Sequence, residues 1–392
     1  MKQSVYIIGS KGIPAKYGGF ETFVEKLTEY QKASNVKYYV ACTRENSLKS
    51  NISEDVFEHN GATCFSIDVP NIGPAKAIIY DLLALKKAIQ MAKEHHDKNP
   101  IFYILACRIG PFISYFKKKI HKIGGQLFVN PDGHEWLREK WSRPVRQYWK
   151  ISESLMVKHA DLVICDSKNI EQYIQQDYAK YSPKTTYIAY GTDLSKSNLT
   201  SESQEVQEWF ASKSIQENGY YLVVGRFVPE NNYESMLHEF MKSNSSKDFV
   251  LITNVEKNAF YEKLKAETGF DKDPRVKFVG TVYDQELLKY IRENAFAYFH
   301  GHEVGGTNPS LLEALSSTKI NLLLDVGFNR EVGENGAIYW RKDNLHQVID
   351  ESEKLSEVEI QQMDNLSTEQ VKQRFTWDFI VDEYEALFES CE

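Results

Sequence analysis

Three glycine-containing loops in this sequence carry residue types that can hold phosphate groups. The first, residues 9–22, reads GSKGIPAKYGGFET and places Gly18 and Gly19 directly before an apolar periodic segment. Free backbone amides and the positive end of a helix dipole favour an anion at such a point. We therefore predict a phosphate contact at Gly18 and Gly19, with a plain turn as the alternative.

The second loop, residues 223–232, reads VVGRFVPENN and sets Arg226 at the carboxyl end of a strand-like run. An arginine guanidinium presents a planar fork of donors that suits a diphosphate. We predict this contact for Arg226, and a salt bridge between domains is the alternative role.

The third loop, residues 300–315, reads HGHEVGGTNPSLLEAL. Asn308 suits the N-cap of a helix whose first turn accommodates Pro309. Glu313 then lies one turn in, where its carboxylate suits a ribose hydroxyl unless it only complements the helix dipole. This loop predicts a second site for an anion and a sugar.

The same loops exclude two common classes of nucleotide-binding protein. The dinucleotide fingerprint G-x-G-x-x-G is absent, which makes an oxidoreductase the weakest candidate, and no Gly-Lys-Ser/Thr completes a P-loop. Asp271 and Asp273 resemble a metal-binding pair only superficially, since they lie in a turn before Pro274. The five cysteines have neither metal nor disulfide spacing, which favours a reducing compartment.

Alternating strand and helix patterns must position these loops. In the first half, strands are predicted at 5–8, 38–42, 63–67, 101–106, 126–129, 162–165 and 185–189, with helices at 20–30, 77–92, 112–123, 145–158 and 170–175. A polar segment at 194–205 is typical of a linker, after which the alternation restarts with strands at 220–224, 249–253, 276–279, 297–300 and 320–324. Such alternation indicates parallel sheets with helices on both faces.

The predicted fold is therefore α/β, with two doubly wound, Rossmann-like domains facing a central cleft. We place the first domain at 1–193 and the second at 206–374. Residues 375–392 are predicted to form a C-terminal helix, because Trp377, Ile380, Tyr384 and Leu387 have helical spacing. The apolar side of this helix must be buried, so we expect the helix to return towards the first domain and pack across the junction. Ligands of such sheets bind outside the carboxyl ends of the strands, where the three loops lie.

Segments GRFVPE (225–230) and GTNPSLLEA (306–314) resemble the donor-binding signatures of the retaining GT4 glycosyltransferases. The opening segment 12–22 is similar, more narrowly, to the bacterial β-1,4-L-rhamnosyltransferases of that family, and the likeness includes 130–133 and 189–193. It implies a GT-B fold, a dTDP-L-rhamnose donor, a lipid-diphosphate-linked glucose or N-acetylglucosamine acceptor in cell-wall or capsular polysaccharide synthesis, and no essential metal.

The resemblance also implies roles for donor-binding residues. Backbone amides of Gly18, Gly19 and Gly305–Thr307, together with Arg226, would stabilise the leaving diphosphate, and Glu313 would hold the deoxyribose 3′-hydroxyl. The donor-side set is Gly18, Gly19, Asp132, Arg226, Glu303, Gly306, Thr307, Asn308 and Glu313.

Two positions depart from the family pattern. Asn231 stands where the family usually has a lysine, so that Arg226, helped by Lys11 or Lys16, would neutralise the diphosphate. The first glutamate of the family's pair would fall at Gly305, and the nearest acid is Glu303.

Catalytic candidates follow strands of the first domain. Asp166 would orient the acceptor or stabilise the cationic sugar, Tyr190 is the next candidate, and His134 could bond the donor sugar or the leaving phosphate. Asp132 lies beside His134. The alternatives are an N-cap role for Asp166 and a buried hydrogen bond for Tyr190.

Charge is distributed unevenly along the chain. Residues 1–190 hold 27 Lys and Arg against 19 Asp and Glu, whereas the remainder holds 20 against 36. Basic residues stand beside aromatic ones at 112–122 and at 136–150, including Lys117–Lys119, Lys140 and Lys150. This pattern is typical of docking on an anionic membrane, although a dimer surface is the alternative and nucleic acid a weak third. No apolar run is long enough to span a bilayer, so we expect a cytoplasmic protein peripheral to the inner face of the plasma membrane.

Two other activities remain open from the sequence. A glycosyltransferase with a UDP-sugar donor would share every loop, and a non-hydrolysing nucleotide-sugar epimerase would share the two-domain plan. A catalytically inactive nucleotide-sugar-binding regulator is a third possibility, against which the intact loops argue.

Overall fold

The computed structural model describes residues 2–16, 18–70, 72–138, 141–255, 259–304 and 306–391. Within them the chain forms two compact units. The first holds the residues up to Gly191 together with those from Trp377 onward, and the second is Thr192–Thr376. Gly305 and Lys140, which the sequence analysis used, lie outside the described residues.

The first unit is built on one predominantly parallel sheet. Its strands are β1 (Gln3–Ile8), β2 (Val36–Thr43), β3 (Val56–His59), β4 (Ala62–Ile67), β5 (Ile101–Leu105), β6 (Gln126–Asn130), β7 (Leu162–Cys165) and β8 (Thr185–Tyr187). Over the described residues their order is β3-β4-β2-β1-β5-β6-β7-β8, and β3 alone runs antiparallel to its neighbour. The order reverses between β1 and β5, which is the point where such sheets bind ligands.

Helices cover both faces of this sheet, which explains why every residue of β1 and β5 is buried. They are α1 (Gly19–Glu29), α2 (Arg44–Lys49), α3 (Lys76–Glu94), α4 (Gly110–His121), α5 (Arg143–His159) and α6 (Lys168–Asp177). The buried residues of α3, α4 and α5 share one hydrophobic cluster with the sheet, so these helices lie on the same face.

The second unit repeats the plan with a smaller sheet, all of whose neighbouring strands pair in parallel. Its strands are β9 (Tyr220–Val224), β10 (Asp248–Ile252), β11 (Val276–Gly280), β12 (Ala297–His300), β13 (Asn321–Leu324) and β14 (Ile338–Trp340), in the order β11-β10-β9-β12-β13-β14 over the described residues. Its helices are α7 (Gln204–Lys213), α8 (Tyr233–Lys242), α9 (Ala259–Thr268), α10 (Gln285–Glu293), α11 (Pro309–Leu315), α12 (Gly327–Gly333), α13 (Leu345–Ser352) and α14 (Glu357–Arg374). Here the order reverses between β9 and β12.

The last helix, α15 (Trp377–Glu389), belongs to the first unit. The ring of Phe388 lies 6.2 Å from those of Tyr38 and Tyr103, and Glu385 Oε2 accepts a 2.9 Å hydrogen bond from the Ala33 amide. The prediction that the C-terminal helix returns to the first domain is confirmed.

The predicted α/β class with two doubly wound sheets is also confirmed. The sequence analysis did not predict β3, β14, α2 or α12 to α14, and the segment interpreted as a linker contains the start of α7 at Gln204. Among the helices of the described residues, none combines the length and apolar character that crossing a bilayer requires.

Candidate active site

The first glycine loop is held onto the start of α1 by the carboxylate of Glu21. This side chain is buried, and its Oε1 accepts a hydrogen bond of 2.7 Å from the Lys11 amide. Gly18 precedes α1 with φ 128° and ψ 150°, a conformation available almost only to glycine. A Cβ on Gly18 would lie 1.9 Å from Glu21 Oε2. Gly18 therefore makes room for the carboxylate that fixes the loop.

Gly19, the first residue of α1, lies beside Tyr190. A Cβ on Gly19 would be 3.5 Å from the Tyr190 hydroxyl, and the Tyr190 ring packs 5.7 Å from that of Phe23. Burial, and then the charges of Asp166 and Asp132, raise the pKa of Tyr190 well above its usual value. The phenol thus stays protonated, and no hydrogen bond to its hydroxyl occurs within the described residues.

Asp166 directly follows β7 and is buried. The N-cap of α6 is the next residue, Ser167, whose side chain accepts from the Asn169 amide at 3.1 Å. The capping alternative for Asp166 is therefore wrong. Its negative charge contributes to the raised pKa of both Tyr190 and Tyr103, so the carboxylate lies close to these phenols.

Asp132 and His134 follow β6 in an uncommon backbone conformation. Asp132, Gly133 and His134 have φ values of 59°, 85° and 53°, so three consecutive residues are left-handed. Asn130 Oδ1 accepts a 2.9 Å bond from the Asp132 amide, and a Cβ on Gly133 would lie 2.4 Å from Ile170 Cδ1. Such strain often accompanies functional sites.

The ring of His134 packs against a hydrogen-bonded network centred on the buried carboxylate of Glu153. The His134 ring centroid lies 3.9 Å from that of Tyr173, whose hydroxyl donates to Glu153 and accepts a 3.2 Å bond from Trp136 Nε1. Tyr178 donates to the same carboxylate at 2.5 Å. Burial raises the pKa of Glu153 despite these donors, and burial lowers the pKa of His134. His134 is therefore neutral near physiological pH and able to accept or donate one hydrogen bond.

Arg108 is a site residue that the sequence analysis did not identify. It follows β5, and its Nη1 donates to the Gly9 carbonyl at 2.9 Å and to Asp81 Oδ2 at 3.2 Å. Asp81 is fully buried, and burial raises its pKa to about 6 although Arg108 opposes the shift. The charges of Asp132 and Glu21 contribute to the raised pKa of Arg108. An arginine at the carboxyl end of a strand was the signal that could have revealed it, as for Arg226.

These observations bring most of the first-unit candidates together. The loop after β1 and Arg108 after β5 flank the point where the strand order reverses. Gly19, Tyr190, Asp166 and Asp132 adjoin them at the same edge of the sheet. A hydroxylated, anionic ligand fits this collection of amides, a guanidinium, carboxylates and a phenol.

In the second unit, Arg226 follows β9 and its side chain is exposed. Asn231 connects two loops of the second unit. Its Nδ2 donates to the Arg226 carbonyl at 2.8 Å, and its Oδ1 lies 2.8 Å from His302 Nδ1. Asn231 thus links the loops that follow β9 and β12, which leaves Arg226 as the cation predicted to meet a diphosphate.

Glu303 is engaged in local contacts. Its Oε2 accepts from Asn232 Nδ2 at 2.9 Å and pairs with Lys342 Nζ at 2.7 Å. Burial acts to raise the pKa of Glu303, but the lysine and the amide outweigh it and the pKa is lowered. The carboxylate is therefore ionised and its orientation is fixed.

The turn after β12 leads into α11. Gly306 and Thr307 are buried, and Asn308 caps α11 by accepting from the Ser310 amide at 2.9 Å, as predicted. Glu313 lies one turn into α11, as predicted, and its Oε2 is 2.5 Å from Nη2 of buried Arg292. The Glu313 side chain is 42% exposed, so this ion pair orients a carboxylate that solvent still reaches.

No group of three or more His, Cys, Asp or Glu side chains that could hold a metal ion occurs among the described residues. The donor-side candidates of the second unit follow β9 and β12, the strands between which the order of the second sheet reverses. In the first unit the glycine loop after β1 lies at the reversal point, whereas Asp132, Asp166 and Tyr190 follow β6, β7 and β8.

Comparison with protein families finds one match. The family described as "Domain of unknown function (DUF1972)" matches residues 2–193, slightly less than half of the chain. The match covers β1 to β8 and does not include α15. Comparison with curated proteins finds no match.

Solved structures match over the whole chain. Sucrose-phosphate synthase from Thermosynechococcus elongatus has 17% identity and a TM-score of 0.76, with 99% of each chain covered. Anabaena HepE in complex with UDP has 15% identity and a TM-score of 0.70, covering 99% of this chain and 100% of that chain. A glycosyltransferase from Rickettsia africae has 13% identity and a TM-score of 0.73, covering 100% and 98%. These likenesses confirm the GT-B fold.

Proposed function

We propose that this protein is a retaining glycosyltransferase that transfers L-rhamnose from dTDP-β-L-rhamnose to a sugar carried on a lipid diphosphate. The observation that carries the proposal is the clustering of Arg226, the Thr307–Asn308 turn and Glu313 where the second sheet reverses its strand order. A nucleoside diphosphate requires a cation, backbone amides and a carboxylate for the ribose, and this edge of the sheet carries a cation at Arg226, the amides of the Thr307–Asn308 turn and the carboxylate of Glu313.

In the proposed reaction, the bond between the anomeric carbon and the diphosphate oxygen breaks. The acceptor hydroxyl oxygen bonds to the same face of that carbon, and the hydroxyl proton passes to the leaving diphosphate. Arg226 and the amides of Gly18, Gly19, Gly306 and Thr307 stabilise the negative charge that develops on the leaving group. No essential metal takes part in the proposed reaction.

The remaining candidates would act on the sugars. Glu313 holds the deoxyribose 3′-hydroxyl and Glu303 contacts the donor sugar. Asp166 orients the acceptor or stabilises the cationic sugar, and Tyr190 and His134 supply hydrogen bonds. Asp132 contacts the donor sugar beside His134. The protonated phenol of Tyr190 and the neutral His134 imidazole support these roles, because both can donate to an oxygen without adding charge.

A UDP-sugar is the second candidate donor. The structures of Anabaena HepE are described as complexes with UDP, with UDP and glucose, and with UDP-glucose. The choice of dTDP-L-rhamnose is supported by the resemblance of segment 12–22 to bacterial rhamnosyltransferases. A lipid-linked acceptor would place the reaction at the inner face of the plasma membrane, where the basic first unit would meet anionic lipid.

Transfer to a synthetic lipid-diphosphate sugar tests the proposal, with dTDP-L-rhamnose, UDP-glucose and UDP-N-acetylglucosamine compared with and without EDTA. We expect a product heavier by one deoxyhexose, formed only from the dTDP donor and unaffected by EDTA. Transfer from a UDP donor would overturn the sugar assignment but keep the reaction class. Donor turnover without an acceptor product would instead favour an epimerase.

Asp166→Asn is the variant that tests the catalytic assignment. We expect kcat to fall by about 100-fold or more, the usual effect of removing a group that acts on the reacting atoms. Asp55→Asn is the matched control, because the Asp55 side chain is exposed next to the start of β3, and it should retain the rate. Equal rates for both variants would remove Asp166 from the chemistry.

A further inference from the structure

Three neighbouring helices of the first unit present a continuous outer surface. The inner sides of α3, α4 and α5 are buried against the sheet in one cluster. The helices α4 and α5 touch closely, since the Gly110 amide donates to Ser152 Oγ at 2.8 Å and a Cβ on Gly110 would lie 2.2 Å from the Ser152 carbonyl oxygen. Their outer sides face away from the sheet.

This outer surface carries positive charge almost without compensation. The three helices contain eleven Lys and Arg residues but only three acids, Asp81, Glu94 and Glu153. Asp81 and Glu153 are buried, which leaves Glu94. The exposed basic residues on or next to these helices are Lys86, Lys93, Lys118, Lys122, Arg143, Lys150 and Lys158. None of these seven forms an ion pair with any acid in the described part of the chain.

Large apolar side chains are exposed amid these charges. Phe112 is 46% exposed and Tyr115 58% exposed on α4, and Ile151 is 50% exposed on α5. Phe112 and Ile151 are close in sequence to Gly110 and Ser152, the residues at which α4 and α5 touch. Lys118 and Lys119 lie one turn after Tyr115, and Lys119 Nζ is 4.3 Å from the centroid of the Tyr115 ring. Aromatic and basic residues at this spacing are typical of a helix that lies at a lipid surface.

We infer that the outer surface of α3, α4 and α5, which we call the basic face, docks on a bilayer rich in anionic phospholipid. Lysines there meet lipid phosphates, and Phe112, Tyr115 and Ile151 enter the headgroup layer. A second copy of the chain that met this face with its own basic face would be repelled by the like charge. A nucleic acid would pair with the lysines but leave Ile151 without an apolar partner. The inference deepens the proposed function, because a lipid-linked acceptor requires the enzyme at a membrane.

Flotation with vesicles tests the docking without any sugar transfer. Vesicles containing phosphatidylglycerol and phosphatidylcholine are compared with phosphatidylcholine alone. We expect binding only with phosphatidylglycerol, weakening as salt is added because the lysines and phosphates are screened. The triple variant Lys118→Glu, Lys119→Glu and Lys122→Glu should lose at least about tenfold in affinity for these vesicles.

The matched control changes the same net charge elsewhere. Lys213, Lys354 and Lys372 are exposed in the second unit, and the triple variant with glutamate at these positions should bind like the unaltered protein. If both triple variants lost the same amount of vesicle binding, net charge alone would explain the loss. The inference that the basic face docks on the bilayer would then be overturned. Absence of binding by the unaltered protein would overturn it as well.

A second pair of variants tests the apolar contribution. Phe112→Ser with Tyr115→Ser should weaken vesicle binding several-fold while the salt dependence persists. Tyr283→Ser, at an exposed tyrosine of the second unit, is the control. Unchanged binding after the double substitution would contradict insertion of these side chains.

Two further measurements separate docking from catalysis and from other partners. Transfer to a water-soluble acceptor with a short lipid chain should proceed normally in the Lys118–Lys122 triple variant. Failure of transfer in the unaltered protein would refute the proposed function but leave vesicle binding intact. The inference would also be overturned if the unaltered protein did not bind vesicles but formed a dimer or bound single-stranded DNA, and the triple variant lost that property. The basic face would then be a surface for that other partner.

Discussion

Gly18 and Glu21 show why a glycine in a ligand loop need not be there for the ligand alone. The carboxylate of Glu21 occupies the space that a Cβ on Gly18 would need, and it takes the Lys11 amide as its donor. The loop after β1 is therefore shaped before any ligand arrives. Such pre-organisation lowers the entropy that ligand binding must overcome.

Gly18→Ala should consequently destabilise the first unit by about 3 kcal/mol, because it combines a φ of 128° with a clash against Glu21. Urea unfolding measures this change. Gly61→Ala is the control, since Gly61 has φ 74° with nothing within 4 Å of its Cβ position, and it should cost about 1 kcal/mol. Equal effects of the two substitutions would show that the clash is relieved without cost.

Asp81 predicts a pH dependence of stability. Its pKa is raised by burial from 3.8 to about 6, so between these values the folded chain binds a proton that the unfolded chain does not. The associated stability is fully present below the unfolded pKa and is lost as the pH rises through the folded pKa, a change of about 3 kcal/mol. Urea unfolding between about pH 4.5 and 7 should reveal the slope, and Asp81→Asn should remove it. The same slope in both proteins would assign it to other groups.

The roles of some residues could be predicted from the sequence, whereas those of others could not. The N-cap at Asn308 was predictable, because Asn before Pro at a helix start is a local signal. Arg108 and Arg226 carry the same signal, but only the strand order shows that both flank reversal points, and strand order depends on long-range pairing. Ser167 rather than Asp166 caps α6, and two adjacent capping residues could not be distinguished without the backbone.

The helix α15 completes the hydrophobic core of the first unit. Phe388 is buried and packs near Tyr38, Tyr103 and Phe128. Glu385 also accepts the amides of the loop that follows α1. The helix is therefore part of the sheet's packing and not an appendage.

Phe388→Ala should destabilise the protein by about 3–5 kcal/mol, the usual cost of deleting a buried aromatic ring. Thermal or urea unfolding measures the loss. Phe379→Ala on the same helix is the control, because Phe379 is 40% exposed, and it should cost much less. A small effect at Phe388 would mean that α15 contributes little to the first unit.

Elements with strong periodicity were predictable and short or polar ones were not. Buried parallel strands such as β5 and β9 consist of continuous apolar runs in the sequence. In contrast, β3 is a partly exposed edge strand of four residues and β14 has only three. The helix α14 has few buried residues, and its start is marked in the sequence only by the capping box of Ser356 and Glu359.

For the whole molecule, the charge asymmetry in the sequence identified the basic half but not its geometry. The folded chain collects the basic residues of α3, α4 and α5 on one surface, which requires the three helices to cross the sheet on the same side. The donor candidates lie in the acidic second unit, where Arg226 is an exposed cation.

Binding of dTDP should therefore raise the temperature of unfolding. At about 100 times the dissociation constant, the expected stabilisation is about 2.7 kcal/mol. Arg226→Ala should reduce the shift at the same dTDP concentration, whereas Arg341→Ala, at an exposed arginine in the same unit, should not. An undiminished shift in Arg226→Ala would exclude Arg226 from the diphosphate contact.

The first unit is interrupted in sequence, and this bears on the order in which the chain acquires structure during synthesis. The ribosome releases β1 to β8 early, but α15 emerges only after the entire second unit. The aromatic surface around Tyr38, Tyr103 and Phe128 must wait uncovered for that time, whereas the contiguous second unit can fold as soon as it is made. A nascent chain halted before Trp377 would contain the whole second unit but only part of the first unit. The first unit, although it is synthesised first, is therefore the one that depends more on chaperones.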